Sequence, residues 1–327
     1  MTTSIEWTDA TWNPVTGCTK VSPGCKHCYA ERVFPRTAAG QRVPVNSAAG
    51  IADRDPDPAR NEHFRQRVFT DVRTHENRLE QPLHWKKPRK IFVNSMSDLF
   101  HEDVPFEFID KAFAVMALCP QHTFQILTKR PERMLEYFED VGYRQEMIGI
   151  EAEHISGTNR FVYGSDKETG CADDILPRWT TPLKNCWLGV SVENQETADK
   201  RIPLLLQTPA AIRFVSYEPA IGFVDFTKFL WVGEEGGIDF SYTPRQMISW
   251  IIIGGESGRG ARPMQLEWAR SVRDQCKASG TAFFFKQYGR NPMLADSPYA
   301  LDIDRNHGGD MIEWAEEDRV RQFPKGE

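Results

Sequence analysis

Three of the seven cysteines in this chain, Cys18, Cys25 and Cys28, fall within eleven positions, in the stretch TGCTKVSPGCKHCYAER. Thiolates are soft ligands, and a turn such as Cys25-Lys26-His27-Cys28 can chelate one metal ion or two irons of a cluster. Pro23 and Gly24 bend the chain into it. Three readings compete. A cubane iron–sulfur cluster on three cysteines leaves one iron open to a substrate or cofactor, which explains three thiols instead of four. Structural zinc needs a fourth ligand. His27 lies between two ligands and would strain that chelate; His101, Cys171 or Cys186 would fit better. Thiols with no joint role are the third reading, and the clustering disfavours it.

Further polar residues stand at the ends of apolar runs. Ser95, Ser97 and Asp98 follow KIFVN (90–94). Lys129 and Arg130 follow TFQIL (123–127). Ser191 and Glu193 alternate onto one face at the end of CWLGVSV (186–192). Glu218 follows IRFVS (212–216), and Glu256 follows WIIIGG (250–255). Glu218 and Glu256 suit a catalytic role at strand ends; the competing role is ion pairing with Arg262 or Lys286. Glu193 also suits a helix start, where the dipole favours a carboxylate. The GGESG turn is not a P-loop, because no Gly-Lys-Ser/Thr follows it.

These runs, with AFFF (282–285), are short and rich in β-branched and aromatic residues, so they read as strands. A first strand is expected near Ile5–Thr8. Between the runs lie helical patterns at 105–118, 194–207 and 265–279, with Pro105 and Pro131 as starts and Gly280 as a stop. Doubly buried strands alternating with amphipathic helices predict an α/β fold with a parallel sheet. A partial or full (β/α) barrel is favoured over an open doubly wound sheet, because nearly every strand ends in a polar cluster. Polar stretches at about 36–82, 141–182 and 228–248 read as loop-side insertions in one domain spanning 1–327; residues 61–79 of the first have a helical pattern. Most tryptophans adjoin these elements and read as core.

A net charge of −6 excludes a broadly basic nucleic-acid binder, leaving HWKKPRK (84–90) as the densest local basic run. No run reaches 18 apolar residues, so no membrane span is expected. The N-terminus lacks a signal-peptide pattern, and an odd cysteine count in a long chain does not read as a secreted disulfide framework. A cytoplasmic location is expected.

The stretches WNPVTGCTKVSPGCKHCYAER, FVNSMSDLF, LTKRPERM, WLGVSVEN, SYEPAIG, IIIGGESGRGARPM and FFFKQYG together resemble a family of phage-associated three-Cys-motif proteins of uncharacterised function. That family is in turn similar to radical S-adenosylmethionine (SAM) enzymes, spore photoproduct lyase among them. The resemblance implies a partial or full barrel of that type, with a [4Fe–4S] cluster on Cys18, Cys25 and Cys28 after the first strand. The spacing here, C-x6-C-x2-C, departs from the usual C-x3-C-x2-C, so the loop TKVSPG must turn outward. SAM would chelate the open iron. Ser95, Ser97 and Asp98 would face its amino group, Lys129 or Arg130 its carboxylate, Ser191 and Glu193 its ribose, and His27 its adenine. The implied activity is reductive SAM cleavage followed by hydrogen abstraction from an unidentified substrate, with nucleic acid or nucleotide as the indicated class, and a reducing electron donor as partner. Arg259, Arg262, Arg270, Arg273, Lys86, Lys87 and Lys90 are the phosphate-contact candidates. The alternatives are a zinc-stabilised nucleic-acid or protein adaptor without catalysis, and a barrel that keeps the cluster for structure alone.

Overall fold

The computed structural model describes residues 3, 5–37, 41–44, 64–157, 182–230, 247–295, 301 and 308–324. Cys171 and much of the three polar stretches lie outside them. Seven strands form one parallel sheet: β1 (Ala10–Trp12), β2 (Lys90–Val93), β3 (Thr123–Thr128), β4 (Cys186–Val192), β5 (Ile212–Tyr217), β6 (Trp250–Gly254) and β7 (Ala282–Gln287). Their order in the sheet is their order in the chain. A doubly wound sheet reverses at a switch point; this one does not. It has the strand order of a partial (β/α) barrel. A closed barrel is not seen among the described residues, because β1 and β7 end the order as edges.

The chain groups into two compact units. The first comprises Met1–Lys20, Cys28–Ile126 and Arg133–Cys186. Here β1 pairs with β2, and β2 with β3. The expected first strand at Ile5–Thr8 is displaced to Ala10–Trp12. Residues 5–8 close a turn, and the Thr8 hydroxyl bonds the Lys90 carbonyl instead of its backbone entering the ladder. Helix α1 (Tyr29–Thr37) follows the cysteines, and α2 (Phe106–Leu118) buries Ile109, Ala112, Phe113 and Met116 as its period predicts. Helix α3 (Pro131–Tyr137) begins at its proline, and α4 (Val141–Ser156) occupies the start of the second polar stretch. Among the described residues of 61–79, Phe64–Gln66 and Arg73–Thr74 are strands and only Glu76–Leu79 is helical, so one continuous helix is not formed there. Arg73–Thr74 pairs antiparallel with Val15–Thr16, and that ladder demands extended backbone.

The second unit comprises Val21–His27, Leu127–Glu132 and Trp187–Glu327. All seven residues of β4 and all five of β6 are buried, which explains their continuous apolar runs. Gly189 lies opposite Phe214, and a Cβ there would come within 2.5 Å of the Phe214 ring. Helix α5 (Gln195–Gln207) opens with a reciprocal Asn194–Thr197 capping box, which satisfies first-turn N–H groups. Helix α6 (Leu266–Ser279) ends at Gly280, whose φ of 74° is the left-handed cap a Cβ disfavours.

Candidate functional site

In the first unit the strand ends of β1 and β2 are tied together just where Cys18 emerges. Asn13 Oδ1 accepts from Ser95 Oγ at 3.1 Å and from the Met96 N–H at 3.0 Å. Ser97 Oγ donates to the Gly17 carbonyl at 2.6 Å, and Gly17 N–H to the Met96 carbonyl at 3.1 Å. Gly17 has φ 92°, and a Cβ there would strike the carbonyls of Asp71 and Phe69. The Cys18 N–H then bonds the Phe69 carbonyl at 3.0 Å. Thr19 Oγ1 meets His101 Nε2 at 2.9 Å, and His101 is fully buried. Asp98 is buried and accepts from the Phe100 N–H at 3.0 Å. Cys18 and Cys28 pack, partly buried, against one cluster of Ala30, Phe34 and Phe69. Ser95 and Ser97 thus hold the loop that carries Cys18. The sequence did not reveal Asn13 as the partner of Ser95, Thr19 as that of His101, or the Phe69 carbonyl as that of the Cys18 N–H.

In the second unit Cys25 ends a 3-10 turn, Pro23–Cys25, none of whose residues is buried. Ser22 Oγ donates to Glu193 Oε1 at 2.8 Å. Glu193 follows β4, is 0% exposed, and accepts from Arg201 of α5 at 3.1 and 3.3 Å. Lys129 Nζ stands 3.6 Å from the same carboxylate and donates to Ser191 Oγ at 2.6 Å. Past β6, Glu256 is clasped by Arg262 through Nε at 3.0 Å and Nη2 at 2.6 Å, and accepts the Arg262 N–H at 2.9 Å. His27 Nδ1 is 3.1 Å from Glu256 Oε2. Burial alone would raise the Glu256 pKa; the hydrogen bonds from Arg262 and His27 outweigh it and hold the carboxyl below its ordinary value.

Glu218 pairs with Lys286 Nζ at 2.9 Å and accepts from Ser216 Oγ at 3.1 Å. Gly254 leaves room for it: a Cβ there would lie 2.7 Å from Glu218 Oε1. The structure therefore brings His27, Lys129, Ser191, Glu193, Glu218 and Glu256 into the second unit, and places Ser95, Ser97 and Asp98 in the first. Glu193 and Ser191 are shut from solvent, whereas Lys129 and Glu218 keep part of their surface and His27 is exposed. Of the phosphate-contact candidates, Arg262 is bound to Glu256, Arg270 to Asp318 and Arg273 to Asp274. Lys86, Lys87 and Arg259 are exposed.

The described cysteines form two groups by burial. Cys119, Cys186 and Cys276 are buried. Burial pushes the Cys119 thiol up to about 11 and Cys276 to about 12, and raises Cys186 as well, which makes all three poor ligands. Cys18, Cys25 and Cys28 are only partly covered. In donor type alone, three partly covered cysteines close in sequence suit an iron–sulfur cluster or a zinc ion. No three His, Cys, Asp or Glu side chains form a ready metal-holding group among the described residues, so the fit is one of donor type and not of finished geometry. No described helix is long and apolar enough to cross a membrane.

No curated protein and no solved structure matches the chain. Residues 2–316 match the family model described as "Protein of unknown function (DUF5131)", and the chain belongs to that family.

Proposed function

We propose that this chain is a radical SAM-type enzyme in which Cys18, Cys25 and Cys28 hold a [4Fe–4S] cluster. The observation that carries the reading is the division of the described cysteines: three, clustered in sequence, are only partly covered, and the three others are buried. The resemblance of its motif run to phage-associated three-Cys-motif proteins supports the reading. Bound there, the cluster would supply the electron for reductive cleavage of SAM, and thereby hydrogen abstraction from a substrate.

The chain's own residues divide by exposure. Lys129, partly open and beyond the end of β3, presents an ammonium to an anionic group such as the SAM carboxylate. His27 offers an exposed ring edge next to Cys28. Glu218, paired with Lys286, is the partly open carboxylate for polar contact with substrate or for proton transfer. Within the first unit Ser95 and Ser97 hold the chain around Gly17 and Asp98 caps the turn after β2; within the second, Ser191 and Glu193 hold Lys129 and Ser22. A reducing compartment and an electron donor follow from the chemistry; a nucleotide or nucleic acid remains the proposed substrate class, resting on the motif resemblance.

The test is anaerobic reconstitution with iron and sulfide, reduction, and electron paramagnetic resonance with and without SAM. A [4Fe–4S]⁺ signal that shifts on SAM addition is expected, and is lost in C25A and C28A. Tightly held zinc with no cluster would replace the reading with the adaptor. A cluster signal indifferent to SAM would leave a structural or electron-transfer centre.

A further inference from the structure

We infer that Glu193 and Glu256 are positioning residues: two buried carboxylates that seat the turn Val21–His27, and with it Cys25, from its two ends. This rests on the proposed function only for its purpose, since a ligand must be held still to be preorganised.

The turn has little of its own to hold it. Its backbone bonds include Cys25 N–H to the Ser22 carbonyl at 2.9 Å and Lys26 N–H to the Pro23 carbonyl at 3.1 Å, and Val21, Pro23, Lys26 and His27 are exposed. What fixes it reaches in from far along the sequence. Ser22 Oγ bonds Glu193 at 2.8 Å at the leading end, and His27 Nδ1 meets Glu256 at 3.1 Å at the trailing end. Between them Arg262 Nη1 donates to the Pro23 carbonyl at 2.9 Å.

Both carboxylates are themselves locked. Glu193 is held by Arg201 and Lys129, and Glu256, 7% exposed, by the fork of Arg262. A locked acceptor loses little entropy when the turn docks, so each bond holds the turn more effectively than a bond to a mobile surface side chain. Gly24 records how closely the turn approaches: a Cβ on it would collide with the Glu193 carboxylate. A residue with a side chain there would lift the turn, because Arg201 and Lys129 hold Glu193 in place.

The test uses the full-length apo protein, oxygen-free. N-ethylmaleimide is the probe, and peptide mass spectrometry reads its rate at Cys25. Cys119 and Cys276, both buried, report on the fold. S22A removes one seating bond without touching either ion pair, S22T keeps the hydroxyl, and R262K keeps the charge but loses the fork and the Pro23 contact. We expect S22A and R262K each to raise Cys25 labelling by about tenfold, equivalent to 1.4 kcal/mol, with S22T within about twofold of the wild type by the same conversion. Because Ser22 Oγ also lies 3.9 Å from Cys25 Sγ, hydrogen exchange at the Cys25 and Lys26 amides is measured alongside and should rise with labelling.

Unchanged labelling and exchange in both S22A and R262K would overturn the inference. So would equal behaviour of S22A and S22T, or labelling of Cys119 and Cys276 together with Cys25, which marks general loosening. The same preparations are then loaded with iron and sulfide. If the wild type takes up no iron while labelling responds as expected, the ligand reading fails and the seating stands. If the wild type loads normally while labelling is flat, the seating fails and the ligand reading stands.

Discussion

Replacing Glu193 by alanine should cost more stability than replacing its partner Arg201. The carboxylate is wholly buried, with Arg201 Nη1 at 3.1 Å, Lys129 Nζ at 3.6 Å and the Ser22 hydroxyl at 2.8 Å. At an effective dielectric near 20, a pair at 3.1 Å attracts by about 5 kcal/mol before desolvation is counted. Breaking such a pair costs about 3–5 kcal/mol, because the surviving charge stays buried. E193A strands Arg201, which keeps its 2.6 Å bond to the Ser191 carbonyl but has lost its counter-charge. R201A instead leaves Glu193 with Lys129 and Ser22, so about 1–3 kcal/mol is expected. E193Q, which retains an acceptor for Ser22 but no charge, should fall between. The assay is urea unfolding at neutral pH, with midpoints compared at constant m-value and two spectroscopic probes checking cooperativity. Equal costs for the two alanine variants, or a loss under about 1 kcal/mol for E193A, would refute the claim that this carboxylate balances two cations.

Four further outcomes are expected. C119A and C276A should load as much iron as the wild type, whereas C25A should load none; colorimetric iron per chain decides it. Gly189→Ala should cost about 1–3 kcal/mol by urea unfolding, since its Cβ meets the buried Phe214 ring, and F214L beside it should restore part of the loss. His75 is held neutral, its pKa lowered to about 4 by burial and then by Arg78, Arg67 and Arg73. The unfolded chain protonates first, so stability is full above about 6.5 and falls on acidification toward about 4; H75Q should flatten that slope. Asp318, buried between Arg270 and the Tyr288 hydroxyl, anchors the C-terminal segment 308–324. D318A should cost about 2–3 kcal/mol and speed limited proteolysis within that segment.

Much of the architecture was legible in the sequence because burial writes itself into composition. CWLGVSV is a strand at the expected bounds, since residues covered on both faces have no polar alternation to obscure them. Helix ends at Pro131 and Gly280 follow from covalent geometry that no tertiary context needs to supply. The first strand was displaced because Ala10–Trp12 is three residues long, too short for a period to show, and its place depends on register with β2. The helix expected in 61–79 gave way to the ladder with Val15–Thr16, a pairing across some sixty residues.

The candidate site divides the same way. Residue type and spacing alone singled out Cys18, Cys25 and Cys28, and strand-end position picked out Glu193, Glu218 and Glu256. What each carboxylate touches was decided only by the fold. Ser22 reaches Glu193 across 171 residues and Arg262 reaches the Pro23 carbonyl across 239. Local sequence determines which chemistry a residue carries. The partners that hold, cover or ionise it are set by which strand ends the parallel sheet brings side by side, and that depends on long-range packing that no short motif encodes.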